Sequence, residues 1–129
     1  MDVVAAIINK DGKILATQRG YGEFKGLWEF PGGKIEKEET KEEALIREIK
    51  EELNADIEIN KFALDIEWQY PEFYLYMSCY ECTLKGNIEL LEHMNATWLT
   101  KEELDSVEWI EADIQIIDYL KEISNGVIQ

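Results

Sequence analysis

Histidine is almost absent from this chain and cysteine is scarce. His93 stands alone, and Cys79 and Cys82 are the only thiols among 129 residues. One CxxC spacing with no second pair and a single histidine does not make a four-ligand zinc site. The two cysteines fall in a segment that reads as a strand. They are expected to be ordinary buried or edge thiols rather than a redox motif. Basic residues are also few, 13 against 28 acidic ones, for a net charge of −15. Such a field repels nucleic-acid polymers and anionic membranes. It does not exclude a nucleotide that arrives with a metal ion. Long apolar runs are missing, and the longest is far too short to span a bilayer. No charged-then-apolar signal segment opens the chain, because Asp2 and strand-like Val3 to Ile8 come at once. The expected location is the cytoplasm. There is no linker, repeat or low-complexity tract, so residues 1–129 read as one domain with a modest core.

What is present is concentrated between Gly32 and Ala55, the run GGKIEKEETKEEALIREIKEELNA. Thr40 followed by Glu43 is a capping box, and Glu42 and Glu43 suit the positive end of a helix dipole. The following residues are strong helix formers without Gly or Pro. Leu45, Ile49 and Leu53 recur every four residues and make an apolar stripe. Asn54 tolerates the left-handed cap conformation, second only to glycine, and should end the helix. Glu48, Glu51 and Glu52 are then at i, i+3 and i+4, on one face. Three clustered carboxylates repel one another and raise their own pKa values. Hard divalent cations remove that cost, since carboxylate oxygens are their preferred ligands. Gly33, or Gly32 beside it, allows close approach of the backbone to a ligand. Glu39 and Arg47 are spaced to tie the preceding loop to the helix as an ion pair.

The remainder alternates between strand and turn. Val3 to Ile8 and Lys13 to Gln18 flank Asp11-Gly12, a hairpin signal. Arg19 to Gly26 contains three glycines with Tyr21 and Phe24 and reads as a mobile loop. Asp56 to Tyr70 and Phe73 to Leu84 read as a long hairpin turning at Pro71-Glu72. A short strand is expected at Trp98-Leu99. A short helix should follow Thr100 and Glu103, and an amphipathic helix should span Ala112 to Ile123 with Asn125-Gly126 at its end. Helices at irregular positions among strands imply a mixed sheet covered on both faces.

The order Gly33, five residues, Glu39, seven residues, then Arg47-Glu48-Ile49-Lys50-Glu51-Glu52 resembles the Nudix box, here residues 33–55. The likeness extends to VVAAII, Gln18-Arg19, LWEFPGGKIE, the Glu92-His93 pair with Trp98 five residues after the histidine, and ADIQII. It is nearest to small MutT-like nucleoside triphosphate pyrophosphohydrolases of the CTP type. The family pattern ends in Gly and a large apolar residue, where this chain has Asn54 and Ala55; the asparagine can supply the same cap, at the expense of a slightly less stable turn.

The resemblance implies the Nudix α/β/α sandwich, an α/β (α+β) fold with a mixed sheet between helices. It implies hydrolysis of a nucleoside triphosphate to monophosphate and pyrophosphate with Mg²⁺, or Mn²⁺, as cofactor. The implied metal ligands are Glu48, Glu51, Glu52 and the Gly32 carbonyl. Glu48, Glu52 and Glu92 are the candidate general bases, and Arg47 belongs to the catalytic group. Arg19 is a candidate phosphate contact. Phe30 and Trp28 are candidates to stack on a base. Asp113 takes the place from which relatives hydrogen-bond the base. An ionised Asp only accepts hydrogen bonds, which suits an exocyclic amino group such as cytosine N4; an oxidised dGTP is the other triphosphate implied, although a reader of oxidised guanine resembles the family better with Asn there. The expected partner is a nucleotide alone, with no nucleic-acid polymer and no membrane, and the protein is expected as a monomer or homodimer. The box sees only the diphosphate, so ADP-ribose or another nucleoside diphosphate derivative is an open alternative substrate. A nucleotide-sensing domain without turnover is a third reading.

Overall fold

The computed structural model describes residues 1–126. Seven strands form one sheet: β1 (Asp2–Lys10), β2 (Lys13–Gln18), β3 (Trp28–Glu29), β4 (Gly32–Lys34), β5 (Asp56–Gln69), β6 (Tyr74–Lys85) and β7 (Asn95–Leu99). The spatial order is β3-β2-β1-β6-β5, with β4 also on β1 and β7 also on β2. Only β1 and β6 run parallel; the other pairs are antiparallel. Two α-helices, α1 (Lys41–Leu53) and α2 (Ile114–Gly126), complete the fold. They lie on opposite faces of the mixed sheet, as the sequence pattern predicts.

The central strand explains why the sheet must be covered twice. β1 is buried at every position from Val4 to Ile8. Side chains alternate across a strand. Val4, Ala6 and Ile8 therefore pack with Ala44, Leu45, Ile49 and Leu53 of α1. Ala5 and Ile7 pack with Ile116, Ile117 and Leu120 of α2. A strand buried on both faces reads as a continuous apolar run rather than an alternating one. The same alternation decides the cysteines. Cys79 faces the α2 layer and Cys82 the α1 layer, so the two sulfurs sit on opposite faces of β6. Both are free, and burial pushes the Cys82 thiol up to about 12.

Helix α1 begins and ends as its sequence dictates. The Thr40 hydroxyl accepts from Glu43 N at 3.0 Å, and Thr40 N donates to Glu43 Oε1 at 2.9 Å. Leu45, Ile49 and Leu53 are wholly buried, and truncating any one to Ala should cost about 2–5 kcal/mol. Asn54 is left-handed, φ 46° and ψ 43°, and its N–H reaches Lys50 O at 3.0 Å. The loop after β6 satisfies two more carbonyls at this end. Glu89 N donates to Leu53 O at 2.7 Å and Leu91 N to Glu52 O at 3.0 Å. The Asn54 side chain adds a bond that glycine could not make, from Nδ2 to Glu89 Oε1 at 3.1 Å.

Three expectations need adjustment. The 19–26 loop is held by its own backbone: Arg19 N donates to Leu27 O at 2.9 Å, Gly26 N to Arg19 O at 2.8 Å and Leu27 N to Phe24 O at 3.0 Å. Its glycines serve tight turns, Gly22 and Gly26 having positive φ. The segment after Thr100 is a 3-10 helix, Lys101–Ser106. The last helix starts at Ile114 after a 3-10 turn, Glu111–Asp113. Ile114 is exposed, and Ile116 takes the core position instead. The helix runs to Gly126, and the side chain of Asn125, expected to end it, lies outside the described residues.

Candidate active site

A cleft of about 660 Å³ runs beside the start of β1, between the box helix and the tip of the β5–β6 hairpin. Its acidic end is built on α1. Glu48, Glu51 and Glu52 line it, and the Glu48 carboxylate lies directly against the Gly33 α-carbon. A methyl group on Gly33 would meet Glu48 Oε2 at 2.6 Å, which is why this position excludes a side chain. Gly32 is constrained from the other direction, since a Cβ there would collide with the Val4 carbonyl of β1. Gly32 N donates to Glu52 Oε1 at 3.2 Å.

Arg47 organises the outer side of this cluster. It holds Glu39 with two bonds, Nε to Oε2 at 2.6 Å and Nη2 to Oε1 at 2.9 Å. Nη2 also donates to Lys34 O at 3.0 Å, and Nη1 reaches Glu48 Oε2 at 3.1 Å and Glu51 Oε1 at 3.2 Å. The fork geometry of a guanidinium makes one side chain serve the loop, the strand and two acids at once. The Arg47 guanidinium and a backbone bond from Glu36 hold the Glu39 carboxyl down at about 2. Glu52 is the opposite case. Burial first, then Glu29, Glu48 and Glu92, push its carboxyl up to about 9. Glu48 is raised by burial, with Arg47 opposing.

This set of donors fits a divalent cation in kind. All are hard oxygens, and a cation would offset both the burial and the neighbouring acids that push the Glu52 carboxyl up. As the side chains stand, no three acids among the described residues enclose an ion; Arg47 occupies oxygens of Glu48 and Glu51 instead.

Glu92 comes from the loop that caps α1. It is exposed and lines the same cleft. Behind it lies a group that sequence reasoning missed. Glu29, a part-buried acid of β3, binds Arg19 Nη2 at 2.7 Å and faces His93 Nε2 at 3.1 Å. Burial alone would raise the Glu29 carboxyl; bonds from His93 and Arg19 outweigh it and hold the carboxyl below its usual range. The His93 side chain is buried, and its Nδ1 has no partner among the described residues. The signal for Glu29 was an acid alternating between Trp28 and Phe30 just before Pro31. Arg19 also lies over the Phe24 ring, 5.9 Å from its centroid.

The other end of the cleft is aromatic. Phe24, Tyr70 and Phe73 line it, with Phe24–Tyr70 centroids 5.3 Å apart and Tyr70–Phe73 5.0 Å apart. Phe30 reaches the cleft, yet it is buried and already stacked on Trp109, 4.8 Å away and nearly parallel. Trp28 does not line the cleft. Its backbone is bound to the 108–110 segment, Trp28 N to Glu108 O and Ile110 N to Trp28 O, and its ring packs on the α2-side core. Asp113 is buried at this end, and its Oδ2 accepts from Phe30 N at 2.8 Å. Burial pushes its carboxyl up to about 7.

The chain matches the NUDIX domain over residues 1–120. It belongs to the Nudix hydrolase family. A CTP pyrophosphohydrolase of Escherichia coli is 32% identical over 131 residues, covering 92% of this chain and 89% of the relative. A nucleoside triphosphatase, NudI, of an Enterobacter species is 33% identical over 128 residues, covering 85% and 89%. Among solved structures, the E. coli ORF135 protein superposes with a TM-score of 0.85 at 30% identity, covering 95% of this chain and 89% of that one. The MutT Nudix hydrolase of methicillin-resistant Staphylococcus aureus has a TM-score of 0.74 at 42% identity, covering 95% and 96%. Nudix hydrolases act on small nucleotide substrates and generally use divalent metal ions. No helix among the described residues of this Nudix hydrolase is long and apolar enough to cross a membrane.

Proposed function

We propose that this Nudix hydrolase cleaves CTP or dCTP to the monophosphate and pyrophosphate, using Mg²⁺ or Mn²⁺. One domain, residues 1–129, carries the reaction as a monomer or homodimer in the cytoplasm. The observation that carries the reading is the polarity of the cleft. A cluster of glutamates stands at one end, and a buried acceptor, Asp113, stands at the other beside aromatic rings.

Glu48, Glu51, Glu52 and the Gly32 carbonyl would hold the metal, which when bound neutralises phosphate oxygens. Arg47 keeps Glu48 in place against Gly33 and locks the 36–39 loop through Glu39. Arg19, oriented by Glu29, contributes a positive charge on the path from the acids to the aromatic end. Glu92 is positioned by the bonds that fix its loop to the end of α1 and takes the proton of the attacking water. Its exposure keeps a path open for that proton, whereas Glu48 and Glu52 are engaged by Arg47 and Gly32 N. Phe30, stacked on Trp109, closes the floor of the base site, and Trp28 supports the strand beneath it.

Asp113 accepts from Phe30 N through Oδ2 and offers Oδ1 to the base. An amino group, such as cytosine N4, supplies the hydrogen that a carboxylate lacks. The name of the E. coli relative, a CTP pyrophosphohydrolase, agrees with this choice. A panel of nucleotides with Mg²⁺ and Mn²⁺, read by product analysis, tests it. CMP and pyrophosphate should form fastest, and Asp113→Ala should lower kcat/KM for CTP about tenfold more than for UTP. Equal losses on the two pyrimidines would remove the base assignment.

A further inference from the structure

Tyr70 sits in the turn between β5 and β6, and that turn is tightly defined. Its N–H donates to Phe73 O at 2.9 Å, and its carbonyl accepts from Gln69 Nε2 at 2.6 Å. The ring is wedged between Phe24 and Phe73 and is only 5% exposed. A side chain held this firmly carries its hydroxyl to one place. There the oxygen accepts the N–H of Ala112 at 3.1 Å. A phenol has one proton of its own to give. The Ala112 bond uses only the oxygen as acceptor, and no protein acceptor for the phenolic proton is present among the described residues. Tyr70 is among the residues that line the cleft. Burial pushes the phenol up, with the Ala112 N–H bond opposing and the Asp113 carboxylate adding to the rise.

Ala112, whose N–H the Tyr70 hydroxyl accepts, is followed directly by Asp113, and Tyr70 and Asp113 both line the cleft. One is a donor without an acceptor and the other an acceptor with an oxygen to spare. We infer that Tyr70 is a specificity-determining residue, donating its O–H to the cytosine ring nitrogen N3 while Asp113 takes the neighbouring N4 amino group. This rests on the CTP reading above and adds to it a second, independent contact. Cytosine presents a donor and an acceptor side by side on that edge. Uracil presents the reverse, O4 as acceptor and N3–H as donor. In the cytosine register a uracil would set N–H against O–H and carbonyl against carboxylate. A buried polar group left without its partner is what makes such a site reject the wrong base.

The test pairs a deletion in the protein with a deletion in the nucleotide. In 3-deaza-CTP the ring nitrogen is replaced by C–H. kcat/KM is measured for CTP, 3-deaza-CTP and UTP with wild-type protein and with Tyr70→Phe. The wild type should prefer CTP over 3-deaza-CTP by about tenfold. Tyr70→Phe should lose about tenfold on CTP, lose less than about twofold further on 3-deaza-CTP, and narrow the gap between CTP and UTP. A merely structural role, acting through the lost acceptor of Ala112 N–H, lowers all three substrates by one factor, and that result overturns the assignment. Should the variant fold poorly by thermal melting, the wild-type comparison still decides, because equal kcat/KM for CTP and 3-deaza-CTP overturns it too. An absence of CTP turnover by the wild type would defeat the CTP reading itself, an outcome distinct from a selective failure at Tyr70.

Discussion

The two ends of the cleft are built in contrasting ways. The acidic end comes mainly from one continuous stretch, Gly32 to Leu53, with a capped helix and a single arginine binding its parts, and Glu92 joins it from the loop after β6. The aromatic end is assembled from four separate places: the 19–26 loop, Phe30, the hairpin tip at Tyr70 to Phe73, and the turn at Ala112-Asp113. The difference teaches where chemistry and selectivity reside. Binding a phosphate bridge needs charge at fixed spacing, which a helix supplies by itself. Reading a base needs shape and paired donors, which only tertiary structure brings together.

If that division is correct, variants at the two ends should fail differently. The largest effect is expected from Glu52→Gln. It should lower kcat by about a hundredfold to a thousandfold on every nucleotide alike, while thermal melting stays cooperative. Pyrophosphate release at an undiminished rate would remove Glu52 from the reaction. Gly33→Ala comes next. Its methyl group displaces the Glu48 carboxylate and should cost about tenfold to a hundredfold in kcat, again without regard to base. A base-dependent loss from either variant would break the comparison.

Asp113→Asn should have the smallest effect on kcat and a distinct effect on stability. The folded carboxyl titrates at about 7 against an ordinary value of 3.8. A raised acid contributes stability that is complete below the unfolded value and is lost as pH rises through the folded one. Between about pH 4 and pH 7 the wild type should therefore lose Tm relative to the Asn variant, by a few degrees. Parallel Tm profiles across that range would show that the buried acid does not resist ionisation.

Much of the acidic end was legible because its determinants are local. Thr40 and Glu43, the Leu45–Ile49–Leu53 stripe and Asn54 each specify their own part of α1, and the glutamates follow from the helix period. The strands were legible for a similar reason, since Val4 to Ile8 is apolar at every residue. Glu29 was not legible, because β3 is only two residues long and its meaning comes from Arg19 and His93, distant in sequence. Phe24 lay in a loop whose glycines suggested mobility, yet backbone bonds and Tyr70 fix it. Tyr70 itself read as the end of a strand. A tryptophan beside a cleft motif can point either to a ligand or to the core, and the Trp28 ring packs on the core.

The parallel union of β1 with β6 has a consequence for how the polypeptide comes off the ribosome. The amino-terminal nitrogen bonds to Tyr74 O, 73 positions along. The first hairpin therefore emerges with its most apolar edge unsatisfied and must wait until β6 (Tyr74–Lys85) has been made before its neighbour exists. Closing so long a loop slows folding. In that interval the nascent protein exposes Val4 to Ile8 to any passing strand, and the dense negative charge of the chain is its principal protection against clumping.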